Sequence, residues 1–175
     1  LLQTIREGHV IETDVAEIEG ALSLLCASLG FDADVVHDLA GRRSGPINHL
    51  SYVRPIIRSL REWRRTRSHF SIAIDGGDFS EPRGGVLVIA NSSQYALRMD
   101  PALNASSSDG ALDVVFLPAE NVLHLICWAI RCRLKRHLRH SEASFGRGAV
   151  ITVQCAPKAQ LQIDGDAFRP GEALA

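Results

Sequence analysis

The chain has 175 residues and a formal charge of -1, enough for one domain with a proper core and a squeeze for two. Apolar residues make up 46% and charged residues 22%, which excludes a disordered or collagen-like chain, and the near-neutral charge singles out no partner. No apolar run approaches the roughly 20 residues that span a bilayer and no signal-like segment opens the sequence, so an integral membrane protein is not expected. Cys26, Cys127, Cys132 and Cys155 sit in apolar runs without Cys-x-x-Cys spacing. They read as buried reduced thiols, which favours a cytoplasmic protein.

Residues 1–8 lack an initiator Met and read as the last turns of a helix ending at Gly8, as in a fragment of a longer chain. Residues 9–18 alternate apolar and polar positions, and 21–28 form a continuous apolar run, predicting an opening hairpin around Glu19-Gly20. A short helix is expected from Gly30-Phe31-Asp32, then a break over 41–46 and a longer helix over 47–65 that Pro55 would kink. Residues 70–74 and 85–90 are expected strands around an Asp75-Gly76-Gly77-Asp78 turn. Residues 91–108 read as a long polar loop and 111–117 as a strand. An amphipathic helix over 120–140 carries Val122, Leu123, Ile126, Ile130 and Leu134 on one face. Short strands over 150–154, 159–163 and from 168 complete a pattern in which strands outnumber helices. The expected fold is α+β, mainly β: an antiparallel β-sandwich with helices on it.

Two Asp-Gly turns carry the chemistry. Asp109-Gly110-Ala111-Leu112-Asp113 and Ile163-Asp164-Gly165-Asp166 are turn signals first, because Gly accepts positive φ and Asp hydrogen-bonds nearby backbone. Asp164 and Asp166, two residues apart in extended or bulged chain, can also project to one side and meet a common ligand or metal. Gly76-Gly77-Asp78-Phe79 superficially resembles a diguanylate cyclase signature or a phosphate loop, but the following Ser80-Glu81-Pro82-Arg83 promises no helix N-terminus, and a plain turn is the better reading. Two basic clusters follow helices: Arg54, Arg58, Arg61, Arg64, Arg65 and Arg67, then Arg131, Arg133, Lys135, Arg136 and Arg139. Solvated charge near helix C-termini explains both. The sharper reading is an anionic lipid surface met by Arg54, Arg58, Arg61 and Arg65, with Ile57, Leu60 and Trp63 available to dip into it. Nucleic acid is not expected, since stacking aromatics are scarce.

The order Asp14, Gly30-Phe31-Asp32-Ala33, Leu50-Ser51-Tyr52, Val86-Leu87-Val88-Ile89-Ala90-Asn91, Pro101-Ala102, Asp109-Gly110-Ala111-Leu112-Asp113 and Ile163-Asp164-Gly165-Asp166 resembles the bacterial diacylglycerol kinase and lipid kinase family, related to sphingosine kinases and more distantly to NAD kinases. The resemblance covers the chain as that family's second half. It implies a helix end over 1–8 from an N-terminal nucleotide-binding domain, a β-sandwich C-terminal domain over 9–175, and catalysis in the cleft between the two domains. The implied activity is ATP-dependent phosphorylation of a lipid hydroxyl, the isolated chain being inactive. By resemblance Asp109 would hold Mg²⁺ with the backbone carbonyls of Ser106 and Ala111, an oxygen set that suits a hard cation. Asp164 would be the general base, with Asp166 standing where Glu is usual, and Asn91 would lie against substrate. ATP would be bound mainly by the other domain. Relatives place a Gly-rich run after the Asn, where this chain has Ser92-Ser93-Gln94-Tyr95-Ala96-Leu97-Arg98, a departure that implies a different substrate preference or weak activity. The implied location is cytoplasmic and peripheral to a membrane, with a homodimer left open. The rival readings are a non-catalytic sandwich binding anionic lipid and a kinase for a soluble hydroxyl compound.

Overall fold

The computed structural model describes residues 6–8, 10–42, 49–95 and 98–169. Among the described residues, ten strands, all pairing antiparallel, and three complete α-helices follow in the order β1 (Ala16–Ile18), β2 (Ala21–Ser23), β3 (Cys26–Gly30), α1 (Phe31–Ala40), α2 (Val53–Thr66), β4 (His69–Ile74), β5 (Arg83–Ala90), β6 (Leu112–Pro118), α3 (Val122–Arg133), β7 (Ser144–Gly148), β8 (Ile151–Cys155), β9 (Leu161–Ile163) and β10 (Asp166–Phe168). The antiparallel sandwich expected from the sequence is what forms.

Strand β5 organises it. Its second half pairs with β3 on one side and β6 on the other, building a layer in the order β10-β9-β3-β5-β6-β7. Its first residues, Arg83 and Gly84, pair instead with Phe70 and His69 of β4, from which β8 continues. Period-two alternation then sorts the side chains. Leu87, Val114 and Phe116 join Leu29 and Phe70 between the layers, whereas Val88, Ala90, Val115 and Leu117 face the helices and pack with Trp63, Leu125, Trp128 and Cys132. Backbones approach so closely at one crossing that a Cβ on Gly30, which has φ +91°, would collide with the Gly85 carbonyl, and a Cβ on Gly85 with the Leu117 carbonyl. Only glycine fits there.

Several local expectations need correction. The apolar run 21–28 is two strands, broken at Leu24 and Leu25, because the amides of Leu24, Leu25 and Cys26 turn to a distant carboxylate, Asp164. Helix α2 begins only at Val53 after a 3₁₀ turn, His49–Tyr52, so Pro55 lies in the first turn, where its missing N–H costs nothing. Residues 47 and 48 and most of the 41–46 break lie outside the described residues. The 120–140 helix stops at Arg133, with Lys135 at φ 55°. Strand β7 was not expected, and β10 begins at Asp166 rather than at 168. Cys26 and Cys132 are buried, with burial pushing both thiols up to about 12, but Cys127 is half-buried and Cys155 exposed. Trp63 is fully buried edge-on to Phe31, so it cannot dip into a partner surface. At the start, Arg6 and Glu7 are helical and Gly8 takes φ +65°.

Candidate functional site

Both Asp-Gly turns form as the residue types demand. Gly110 and Gly165 adopt φ of 71° and 93°, and Asp164 itself sits at 52°. The β9–β10 hairpin, with Asp166 opposite Ile163, presents Asp164 to the break between β2 and β3. There its Oδ1 accepts from Ser23 Oγ (2.9 Å), the Leu25 N–H (2.9 Å) and the Cys26 N–H (2.9 Å), while among the described residues Oδ2 accepts only from the Leu24 N–H (2.7 Å). Partial burial raises the pKa of this carboxyl, but the amides of Leu24, Cys26 and Leu25 and the Ser23 hydroxyl more than offset that, leaving it below the ordinary carboxylate value. Asp164 is therefore a fixed anion, with capacity left on Oδ2. Asp166 is exposed at the start of β10.

Asn91, the first residue after β5, is 1% exposed. Its Nδ2 donates to the Leu24 carbonyl (3.0 Å) and the Asp14 carbonyl (2.8 Å), while its Oδ1 is buried with no hydrogen-bond partner among the described residues. Asp14 in turn accepts the Gly110 N–H on Oδ2 (2.7 Å) and donates its own N–H to the Ser107 carbonyl (2.7 Å). A continuous hydrogen-bonded path thus runs from the Asp109-Gly110 turn through Asp14, Asn91 and Leu24 to Asp164. The two turns belong to one assembly.

At the first turn, Asp109 Oδ1 accepts the Ala111 N–H at 3.2 Å and Oδ2 is ion-paired with Arg147 of β7. Arg147 Nε stands 4.0 Å from Asp113 Oδ2, which is buried with no hydrogen-bond partner among the described residues. Burial pushes the Asp113 carboxyl up, the Arg147 charge opposes this and Asp109 adds to it. Asp109 and the orphaned Asp113 oxygen, beside the carbonyl-bearing Ser106 and Ala111, fit a hard cation in donor type. No group of three or more His, Cys, Asp or Glu side chains converges as a metal cluster among the described residues.

A second network went unread in the sequence. Asp32, in the first turn of α1, accepts on Oδ2 from Ser28 Oγ (2.5 Å), Tyr95 Oη (2.6 Å) and Gln162 Nε2 (3.3 Å). Gln162 also donates to Ser28 Oγ (2.9 Å) and accepts the Gly165 N–H (2.7 Å), so this network buttresses the Asp164 turn from below. Burial and the Asp32 charge push the Tyr95 hydroxyl well above its usual value, fixing it as a donor. Only the β3–β9 register, which sets Ser28 opposite Gln162, could have revealed this. A groove of about 600 Å³ opens between α1 and α2, lined by Asp34, Asp38, Glu62, Arg58, Arg65 and Lys158 among others. Burial, reinforced by Glu62, pushes the Asp34 carboxyl up to about 6.

A sandwich of antiparallel strands with carboxylate turns tied together across one end of the sheet defines the class, and comparison with known proteins narrows it. The chain belongs to the family of the YegS C-terminal NAD kinase beta sandwich-like domain, whose model matches residues 26–174. No curated protein matches it. Among solved structures, a diacylglycerol kinase from Bacillus anthracis str. Sterne superposes with a TM-score of 0.57 at 11% identity, over 95% of this chain and 50% of that one. Two candidate diacylglycerol kinases of the same organism superpose with a TM-score of 0.60, at 14% and 16% identity, each over 94% of this chain and 53% of theirs. At such identities the likeness is one of fold, and the chain spans about half the length of these structures.

Proposed function

We propose that this chain is the acceptor-side domain of an ATP-dependent lipid kinase that phosphorylates the hydroxyl of diacylglycerol or a similar lipid at a membrane surface, and so serves phospholipid metabolism. The observation that carries the reading is the seat of Asp164: a carboxylate held rigid and ionised at the sheet edge, with one oxygen carrying a single hydrogen bond. Phosphoryl transfer asks for little more than positioning, charge neutralisation and a carboxylate to take the hydroxyl proton as the phosphoryl group departs. Because that proton is released late, a carboxylate of low basicity suffices.

In this reading Asp164 accepts the proton, and Asp166, exposed beside it, lies within reach of the same substrate. Asn91 acts by fixing the Leu24 carbonyl, which sets the loop facing Asp164. Asp109, with the Ser106 and Ala111 carbonyls, would hold Mg²⁺, which when bound neutralises negative charge and braces the turn. ATP would be held mainly by residues outside this chain. The test is phosphate transfer from labelled ATP to vesicle-borne diacylglycerol by the full-length protein, with and without Asp164→Asn. Loss of turnover with retained folding is expected, and unchanged turnover overturns the base assignment. Vesicle binding without transfer to any lipid would leave a lipid-binding sandwich, and transfer only to soluble alcohols would reassign the acceptor.

A further inference from the structure

Helix α3 buries Leu125, Trp128 and Cys132 against the sheet. The opposite face is also apolar. Leu123, Ile126, Ile130 and Leu134, spaced three, four and four residues apart, form a stripe along it and are 65%, 43%, 54% and 58% exposed. The sequence shows this set as the helix's apolar face, but the sheet takes the other one. The stripe is set in an unbalanced field. From Val122 to His140 the chain contains no Asp or Glu, and Arg131, Arg133, Lys135, Arg136 and Arg139 follow the stripe toward the helix end. None of these five forms an ion pair among the described residues. Helix α2 differs in carrying an acid of its own: Glu62 at 3.2 Å and Asp38 at 3.6 Å neutralise one of its arginines, Arg58.

We infer that the outer face of α3 and the basic segment after it dock onto an anionic phospholipid surface. Leucine and isoleucine side chains that stand in water gain free energy in the headgroup–acyl boundary, and unpaired cations beside them select anionic headgroups. A protein partner would demand carboxylates aligned with five separate cations, whereas a charged bilayer supplies anionic phosphate groups at any register. The inference rests on the lipid-kinase reading only for its purpose: the face would hold the domain where its acceptor is dissolved. Four apolar side chains with five cations make a reversible attachment, suited to an enzyme that must leave the surface.

The experiment is co-sedimentation of the full-length protein with vesicles of phosphatidylglycerol and of phosphatidylcholine, without ATP, at low and high salt. Wild type should bind phosphatidylglycerol vesicles, lose binding with salt and ignore phosphatidylcholine. Arg133→Glu/Lys135→Glu/Arg136→Glu should weaken binding by at least a hundredfold, since each lost cation removes roughly fivefold before reversal is counted. Ile126→Ser/Ile130→Ser should weaken it at least tenfold. All five positions are exposed, and thermal melting should be unchanged. In a parallel assay, both variants should keep phosphate transfer to a short-chain diacylglycerol dissolved as monomers and lose it to vesicle-borne diacylglycerol. Full vesicle binding by both variants overturns the inference while leaving the kinase reading intact. Binding that needs α3, without phosphate transfer to any acceptor, supports the inference and removes the kinase reading. A changed mass in sedimentation velocity for Ile126→Ser/Ile130→Ser overturns it in favour of a contact between copies. Loss of transfer to the monomeric acceptor overturns it in favour of a contact with another part of the protein. Loss of binding only in Arg54→Glu/Arg61→Glu overturns it by moving the surface to α2.

Discussion

Asn91 and Asp164 hold Leu24 by the two ends of its backbone: Asn91 Nδ2 donates to its carbonyl at 3.0 Å and Asp164 Oδ2 accepts its N–H at 2.7 Å. The same Asn91 amide holds Asp14, so removing it releases two loops at once. Asn91→Ala should cost about 2–3 kcal/mol, from the loss of two hydrogen bonds of about 1–1.5 kcal/mol each to part-buried carbonyls. Urea unfolding should show a lower midpoint with an unchanged slope.

Asp164→Asn should destabilise by about 2–3 kcal/mol, because whichever way the amide is turned its NH₂ meets at least one backbone N–H. Acidity supplies a second reading. The folded carboxyl titrates below its ordinary value, so its contribution is fully present above about pH 4 and is lost as pH falls through the lower folded value. The acid limb of the stability curve should flatten in Asp164→Asn, as followed by circular dichroism.

Asp34 works with the opposite sign. Its pKa is raised from 3.8 to about 6, so folding favours the protonated form. That contribution is complete below pH 3.8 and disappears as pH rises through about 6. Asp34→Asn should therefore stabilise the domain at pH 7, by at most about 3 kcal/mol, and by progressively less toward pH 4. Thermal melts across that range give the measurement.

Tyr95 stands in the segment where glycines were expected, and its hydroxyl is one of three donors on Asp32 Oδ2. Tyr95→Phe leaves that oxygen short of one donor to a charged acceptor, a loss of about 1.5–3 kcal/mol in chemical unfolding. If the phenol served only to fill space, the variant would be neutral.

Magnesium should raise the melting temperature of the full-length protein, and chelation should reverse the gain. At a concentration about a hundredfold over the dissociation constant the stabilisation approaches 2.7 kcal/mol. Asp109→Asn should abolish it. Arg147→Gln, which frees Asp109 from its ion pair, should strengthen it. Differential scanning fluorimetry reads all three.

Features governed by near neighbours were legible in the sequence. The Asp-Gly turns announce themselves because positive φ restricts the residue types, and the alternation in β5 and β6 separates their two buried faces. Features governed by distant partners were not. The break at Leu24 is imposed by Asp164, 140 residues away. Strand β7 carries two glycines, a poor strand signal, and both Gly146 and Gly148 stand where the Ile74 side chain occupies the place of a Cβ. Helix α3 is apolar on two sides, so periodicity alone could not say which would meet the sheet. The Asp32 network was hidden because its members come from β3, α1, β9 and the loop after β5. The Asp109-Gly110 turn was legible as a turn, but Arg147 as the counter-ion of Asp109 was not.

The seat of Asp164 also orders events in time. Its donors lie at Ser23 to Cys26, so a chain emerging from the ribosome makes them 138 to 141 residues before their acceptor. Until the β9–β10 hairpin arrives, three consecutive amides have no carboxylate to bind and β3 lacks one of its neighbours. Closing so long a loop is entropically late and kinetically slow. The group proposed to act on substrate is thus also the clasp that completes the domain, and a truncated or stalled chain would carry neither a finished sheet nor a charged site.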